Sequence, residues 1–85
     1  MLGKMMLYKM RKDDARPAGG GNQNSPGDLV PAIITAVWPD EFAGENGGRV
    51  PGYNITVFPD GRETLWRTSV KIGDEEGELR PMPEE

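Results

Sequence analysis

Few side chains in this sequence could do chemistry, and their spacing says more than their number. Ser69, in "RTSV", is a hydroxyl that needs a base beside it to become a nucleophile, and the chain has no His and no Cys. Triad-like arrangements are therefore absent. Two adjacent carboxylate pairs, Asp40/Glu41 and Glu75/Glu76, would need a fixed separation and a pocket raising one pKa to divide acid and base roles. Both pairs fall in segments that read as loop or tail, where neighbouring acids are usually just solvated. Without thiolates or imidazoles the common zinc ligands are missing, and no carboxylate spacing matches a calcium loop. The sequence predicts a non-enzyme with no metal and no cofactor.

The glycine-rich "GENGG", residues 44–48, is followed by no Lys-Ser/Thr and stands in no strand-to-helix context. It reads as a loop tip rather than a phosphate-cradling nest. The arginines carry more. Arg49, Arg62 and Arg67 are the arginines of the middle of the chain, and a guanidinium is well shaped for bidentate phosphate contacts. Trp66 and Arg67 are neighbours, and on a strand neighbours point to opposite faces. A buried Trp66 would display Arg67 outward, near Asn54 across a hairpin. Trp38, Tyr53, Phe58 and Trp66 read as core or contact residues. The candidate ligand-binding set is Arg49, Asn54, Trp66, Arg67 and Ser69, with copies of Arg67 or Arg49 gathered by symmetry around an anion.

These residues must be positioned by a small β fold. Eighty-five residues make one domain at most, and twelve Gly and eight Pro thin out its core. A scaffold of this size usually needs a staple: disulfides, a metal or a second subunit. The first is excluded by composition and the second has no motif, so homo-oligomerisation is the expected remedy. "LGKMMLYKM" (2–10) favours a first strand, with a short helix as the rival reading. "LVPAIITAVW" (29–38) is the strongest strand, rich in β-branched residues and apolar on both faces, as in a central strand. Pro31 suits its start or an edge. "YNITVF" (53–58) and "RETLWRTSVKI" (62–72) form a hairpin around Pro59, Asp60 and Gly61.

That turn allows two registers. A two-residue loop of Asp60-Gly61 pairs Val57 with Thr64, Ile55 with Trp66 and Tyr53 with Thr68. A bulged three-residue loop instead has Pro59 opening a type I turn and Gly61 in the left-handed region. The second suits Pro59 better, because its ring fixes φ near the required value. A one-residue slip moves Trp66 to the other face. The long stretches 12–28 and 39–52 read as flexible loops, the first having almost nothing to bury. Four to five short antiparallel strands with such loops predict a mainly β, SH3-like bent barrel over residues 1–72.

Charge is uneven. Residues 73–85 hold one basic and six acidic side chains of a chain whose net charge is −4, and "GDEEGELRPMPEE" reads as an acidic C-terminal tail. No basic stripe supports general nucleic-acid binding. The N-terminal "MLGKMMLYKMRK" lacks the apolar run of a signal peptide, and no transmembrane segment is expected.

The segments "PAIITAVW", "NITVFPDG" and "TSV" together resemble a family of small uncharacterised proteins common in bacteriophage and prophage genomes. The resemblance covers residues 31–70. The inserts at 12–28 and 39–52 are longer here, and the aromatic C-terminal end of that family is replaced by "LRPMPEE". It brings no catalytic residues. It implies a viral accessory protein working in the cytoplasm of a bacterial host, or in the virion. The expected function is non-enzymatic binding that counters host defence by sequestering a phosphorylated nucleotide signal in an oligomer. A virion structural or assembly role, or inhibition of a host enzyme by direct contact with the acidic tail as a nucleic-acid mimic, is the alternative.

Overall fold

The computed structural model describes residues 1–15, 22, 24–44, 47–61 and 63–83. It contains five strands: β1 (Met5–Lys9), β2 (Leu29–Ala43), β3 (Arg49–Val57), β4 (Leu65–Val70) and β5 (Leu79–Pro81). All pair antiparallel in one sheet of order β4-β3-β2-β1-β5. This is the mainly β, SH3-like arrangement expected from sequence, with β2 central. The sheet is not closed into a barrel. Its two outer strands approach at a parallel bridge between Ile72 and Leu79, where Leu79 N–H donates to Lys71 O (3.0 Å) and Gly73 N–H to Leu79 O (2.9 Å).

One face of the bent sheet makes the core through the two-residue alternation of a strand. Met6 and Tyr8 come from β1, Val30, Ala32 and Ile34 from β2, and Tyr53, Ile55 and Val57 from β3. Met10, Val70 and Leu79 complete it. Pro31 sits near the start of β2, opposite Leu7. Its carbonyl accepts from Phe58 N–H (2.9 Å), and the reciprocal bond that its missing N–H cannot make falls where β3 ends, one residue beyond the Ala32–Val57 pair.

Several sequence expectations are corrected. Of the expected loop 39–52, residues 39–43 and 49–52 are strand: β2 runs to Ala43 and β3 begins at Arg49, with Phe42 opposite Val50 and Ala43 opposite Arg49, while residues 45 and 46 lie outside the described residues. Pro39, Asp40 and Glu41 are absorbed as a bulge between the Trp38–Gly52 and Phe42–Val50 pairs, and Asp40 takes a φ of 59°. A bulge reads as a loop in sequence because it uses the same Pro-Asp chemistry.

The segment 12–28 does bury side chains, but polar ones. Asp14, Asn22 and Asn24 are buried and bonded, so hydropathy gives no sign of them. Residues 16–21 and 23 of that expected loop lie outside the described residues.

The expected tail at 73–85 contains β5. Leu79 is fully buried, and β5 pairs with β1 through Met6–Pro81, Leu7–Arg80 and Tyr8–Leu79. A three-residue strand flanked by charges and prolines carries too little pattern to be read in sequence. Residues 84 and 85 lie outside the described residues.

The β3–β4 connection follows neither expected register. Val57 lies opposite Leu65, Thr56 opposite Trp66 and Ile55 opposite Arg67. Pro59 is buried, Gly61 does not adopt the left-handed conformation, and Arg62 is outside the described residues. Asp60 N–H donates to Asn24 Oδ1 (2.8 Å), and Gly61 bridges to Asn22. Pro59, Asp60 and Gly61 thus pack against the first loop instead of closing a tight hairpin.

Candidate functional site

The observed register decides the faces of Trp66 and Arg67, which the two registers allowed by the sequence left open. Trp66 lies on the outer side opposite Thr56 and is 59% exposed. Arg67 turns inward beside Ile55, where its guanidinium pairs with the carboxylate of Asp14, a residue with no exposed surface. Asp14 also accepts from the Tyr8 hydroxyl and from Arg11 N–H (3.0 Å), and its backbone carbonyl accepts from Asn22 Nδ2 (3.0 Å). Burial pushes the Tyr8 hydroxyl above its ordinary value, against the opposing pull of Arg67's bond and charge. Asn22 Oδ1 accepts from Asn24 N–H (3.1 Å), and Asn24 Nδ2 donates to Asp28 (3.2 Å). Asp28 also accepts from Ser25 N–H (2.9 Å), and these two bonds, the Ser25 bond foremost, hold its carboxyl below the ordinary carboxylate value. This polar plug ties the first loop to β1, to β4 and to the β3–β4 connection.

Asn54 and Ser69 meet on the outer side, and Arg49 holds the first of two bulges that flank β3. The first is the Pro39–Glu41 bulge of β2. In the second, Thr68 and Ser69 of β4 face Asn54 alone, and Ser69 takes a φ of 57°. The Ser69 hydroxyl donates to Glu41 Oε2 (2.6 Å) and so joins the two bulges across β3. This is possible because Gly52 has no side chain: a Cβ there would collide with the Glu41 carboxylate and stand 2.7 Å from the Phe42 ring. Glu41 Oε1 is buried with no hydrogen-bond partner. Arg49 clamps the same bulge, donating from Nε (3.0 Å) and Nη2 (2.8 Å) to Asp40 O and from Nη2 to Glu41 O (3.3 Å).

Asn54 orders the surface beside them. Its Oδ1 accepts from Trp38 Nε1 (2.9 Å), from the Thr68 hydroxyl (2.7 Å) and from Ser69 N–H (3.4 Å). Trp38 is 47% exposed, yet its indole is held in one orientation. Trp66 shares this face, two residues along β4 from Thr68. Phe58 is also exposed, whereas Tyr53 belongs to the core.

Of the five sequence-predicted residues, Asn54 and Ser69 meet, Arg49 is linked to Ser69 only through Glu41, Trp66 stands on the same outer face as Asn54, and Arg67 points away. Sequence reasoning missed Asp14 and Tyr8 altogether, and gave no role to Thr68. Glu41 was weighed only as an acid in a presumed loop. The one usable signal was Pro39-Asp40 inside a strand-like run, which marks a bulge as readily as a turn. Among the described residues no group of His, Cys, Asp and Glu is placed to hold a metal ion, and no helix is long and apolar enough to cross a membrane. No known protein family, curated protein or solved structure matches the chain.

Proposed function

We propose that this is a non-enzymatic accessory binding protein, acting inside a bacterium by docking a protein partner on the outer face of β2, β3 and β4. The observation that carries the reading is the exposed Trp38, fixed by Asn54 on the face that also carries the exposed Trp66. Indoles dominate binding hot spots, and a side chain already held in one orientation loses little freedom on association. The phage-like segments supply the cellular setting. Ser69 is spent on Glu41 as a tie between bulges, which speaks for scaffold rather than nucleophile. Arg67 belongs to Asp14, which disfavours it as the anion contact of a nucleotide trap.

Among the described residues ten large hydrophobic residues are exposed against eleven hydrophobic residues in the core, and a second copy of the chain is the further partner that a core this small invites. The test is native mass spectrometry of the protein purified gently from bacterial cells and, separately, of purified phage particles. A co-purifying protein lost from a Trp38→Ala/Trp66→Ala variant with an unchanged circular dichroism spectrum supports the reading. A wild-type protein that carries no partner from either source counts against it. A bound molecule of nucleotide mass would replace it with the sequestration reading.

A further inference from the structure

The two edges of this sheet are not alike. β5 is three residues long and carries Pro81, with Pro83 beyond it, and short strands and prolines are common guards against further pairing. β4 has no proline. Its inward-pointing charge, another such guard, belongs to Arg67 and is neutralised by Asp14. The ladder beside β4 fixes the direction of its backbone groups. Phe58 N–H donates to Pro31 O (2.9 Å), so alternation turns the N–H and C=O of Thr56, two residues earlier, toward Ile33 of β2. Trp66 lies opposite Thr56, in a non-hydrogen-bonded pair, and aims its own N–H and C=O away from β3. Among the described residues that N–H donates to nothing, and the carbonyl accepts only a 3.5 Å contact from Arg67 Nη1.

The free stretch is bounded at both ends. Gly61 is bridged to Asn22 before it, and Lys71 O accepts from Leu79 N–H after it. The bulge at Thr68 and Ser69 interrupts the strand between. Residues 64–68, "TLWRT", remain, and Trp66 at their centre is 59% exposed. We infer that a second copy of this chain pairs antiparallel with these residues, about a two-fold axis at Trp66. Such pairing rests on the reading above of a second copy as partner, and gives that partner its surface. The outward-facing backbone groups select the register. By alternation they belong to Thr64, Trp66 and Thr68, and an axis at Trp66 uses all three from each copy. Trp66 then meets the partner's Trp66, Thr64 the partner's Thr68 and Leu65 the partner's Arg67. No like charges face each other, and an indole pair forms on the outer face. A core this small needs such a staple.

Sedimentation velocity tests the association. Wild type should be a dimer at high micromolar concentration, and Trp66→Lys, with an unchanged circular dichroism spectrum, should raise the dissociation constant at least about tenfold. Single cysteines read the register, since the chain has none of its own. Opposed Cα atoms in such a pair stand about 5.5 Å apart, within reach of a disulfide. A mixture of Thr64→Cys and Thr68→Cys proteins should therefore oxidise to the mixed dimer. Either protein alone should crosslink at least about tenfold less, because its cysteines would lie about 14 Å apart. A monomeric wild type, or cysteines that crosslink equally alone and mixed, would overturn the inference. Both tryptophans stay in the cysteine variants, so that outcome leaves the docking of a different protein to be judged by its own co-purification.

Discussion

Arg67 on β4 and Asp14 in the first loop, far apart in sequence, form an ion pair whose acidic member has no exposed surface. The pair is shared with the Tyr8 hydroxyl, so one carboxylate joins the first strand, the first loop and the fourth strand. Such a charge is tolerated only while its partners stay in place, because desolvation makes an unpaired buried carboxylate costly.

Arg67→Ala should therefore destabilise the fold by about 3 kcal/mol, read as a lower urea midpoint with an unchanged slope. The Asp14→Ala/Arg67→Ala double variant should lose less than the sum of the single losses. A stability-neutral Arg67→Ala would mean that the pair is incidental and would return Arg67 to the pool of surface cations.

Tyr8→Phe should cost about 1–2 kcal/mol, since the ring still packs while Asp14 loses a donor. The pH dependence has a definite sign. With its ionisation raised above the ordinary value of 10.0, Tyr8 binds its proton more tightly when folded. Its contribution is complete below pH 10 and falls away as pH rises through the higher folded value. Thermal unfolding across that alkaline range should decline more steeply for wild type than for Tyr8→Phe.

Asp28 has the opposite sign. Its carboxyl is held below the ordinary value of 3.8 by Ser25 N–H and Asn24. Its contribution is therefore present above that value and lost as pH falls through the lower folded one. Asp28→Ala should lower the melting temperature at neutral pH, and the gap to wild type should narrow at strongly acidic pH. A gap that stays constant with pH would show that the charge is not what matters.

Deleting residues 79–85 should unfold the protein, not merely shorten a solvated end, because β5 and the buried Leu79 go with them. Leu79→Ala alone should cost about 2–5 kcal/mol, measurable by chemical denaturation.

The strands whose side chains follow a clear rule were legible. Met6 and Tyr8, Ile34, and Tyr53, Ile55 and Val57 lie inside as their apolar alternation requires. What escaped sequence reading was decided by long-range polar bonds. The register of β4 depends on where the Pro59–Gly61 segment packs, and that is set by Asn22 and Asn24. Polar side chains in a Gly/Pro-rich stretch do not announce such bonds. With the register went the faces of Trp66 and Arg67. Arg49, Asn54 and Ser69 were identified by residue type, but the relation among them rests on two bulges and on the bare Cα of Gly52, which no local pattern encodes.

The bridge between Ile72 and Leu79 has a mechanical consequence. Four of the sheet's boundaries are zipped along several residues, but this last one is a seam of two backbone bonds. Tension on the chain or a rise in temperature should part the molecule there first. The amides of Gly73 and Leu79 should then exchange with solvent sooner than those within the β2–β3 ladder. Once parted, β5 can peel from β1 and open the core at Leu79, so the seam acts as the clasp of a wallet that otherwise stays shut.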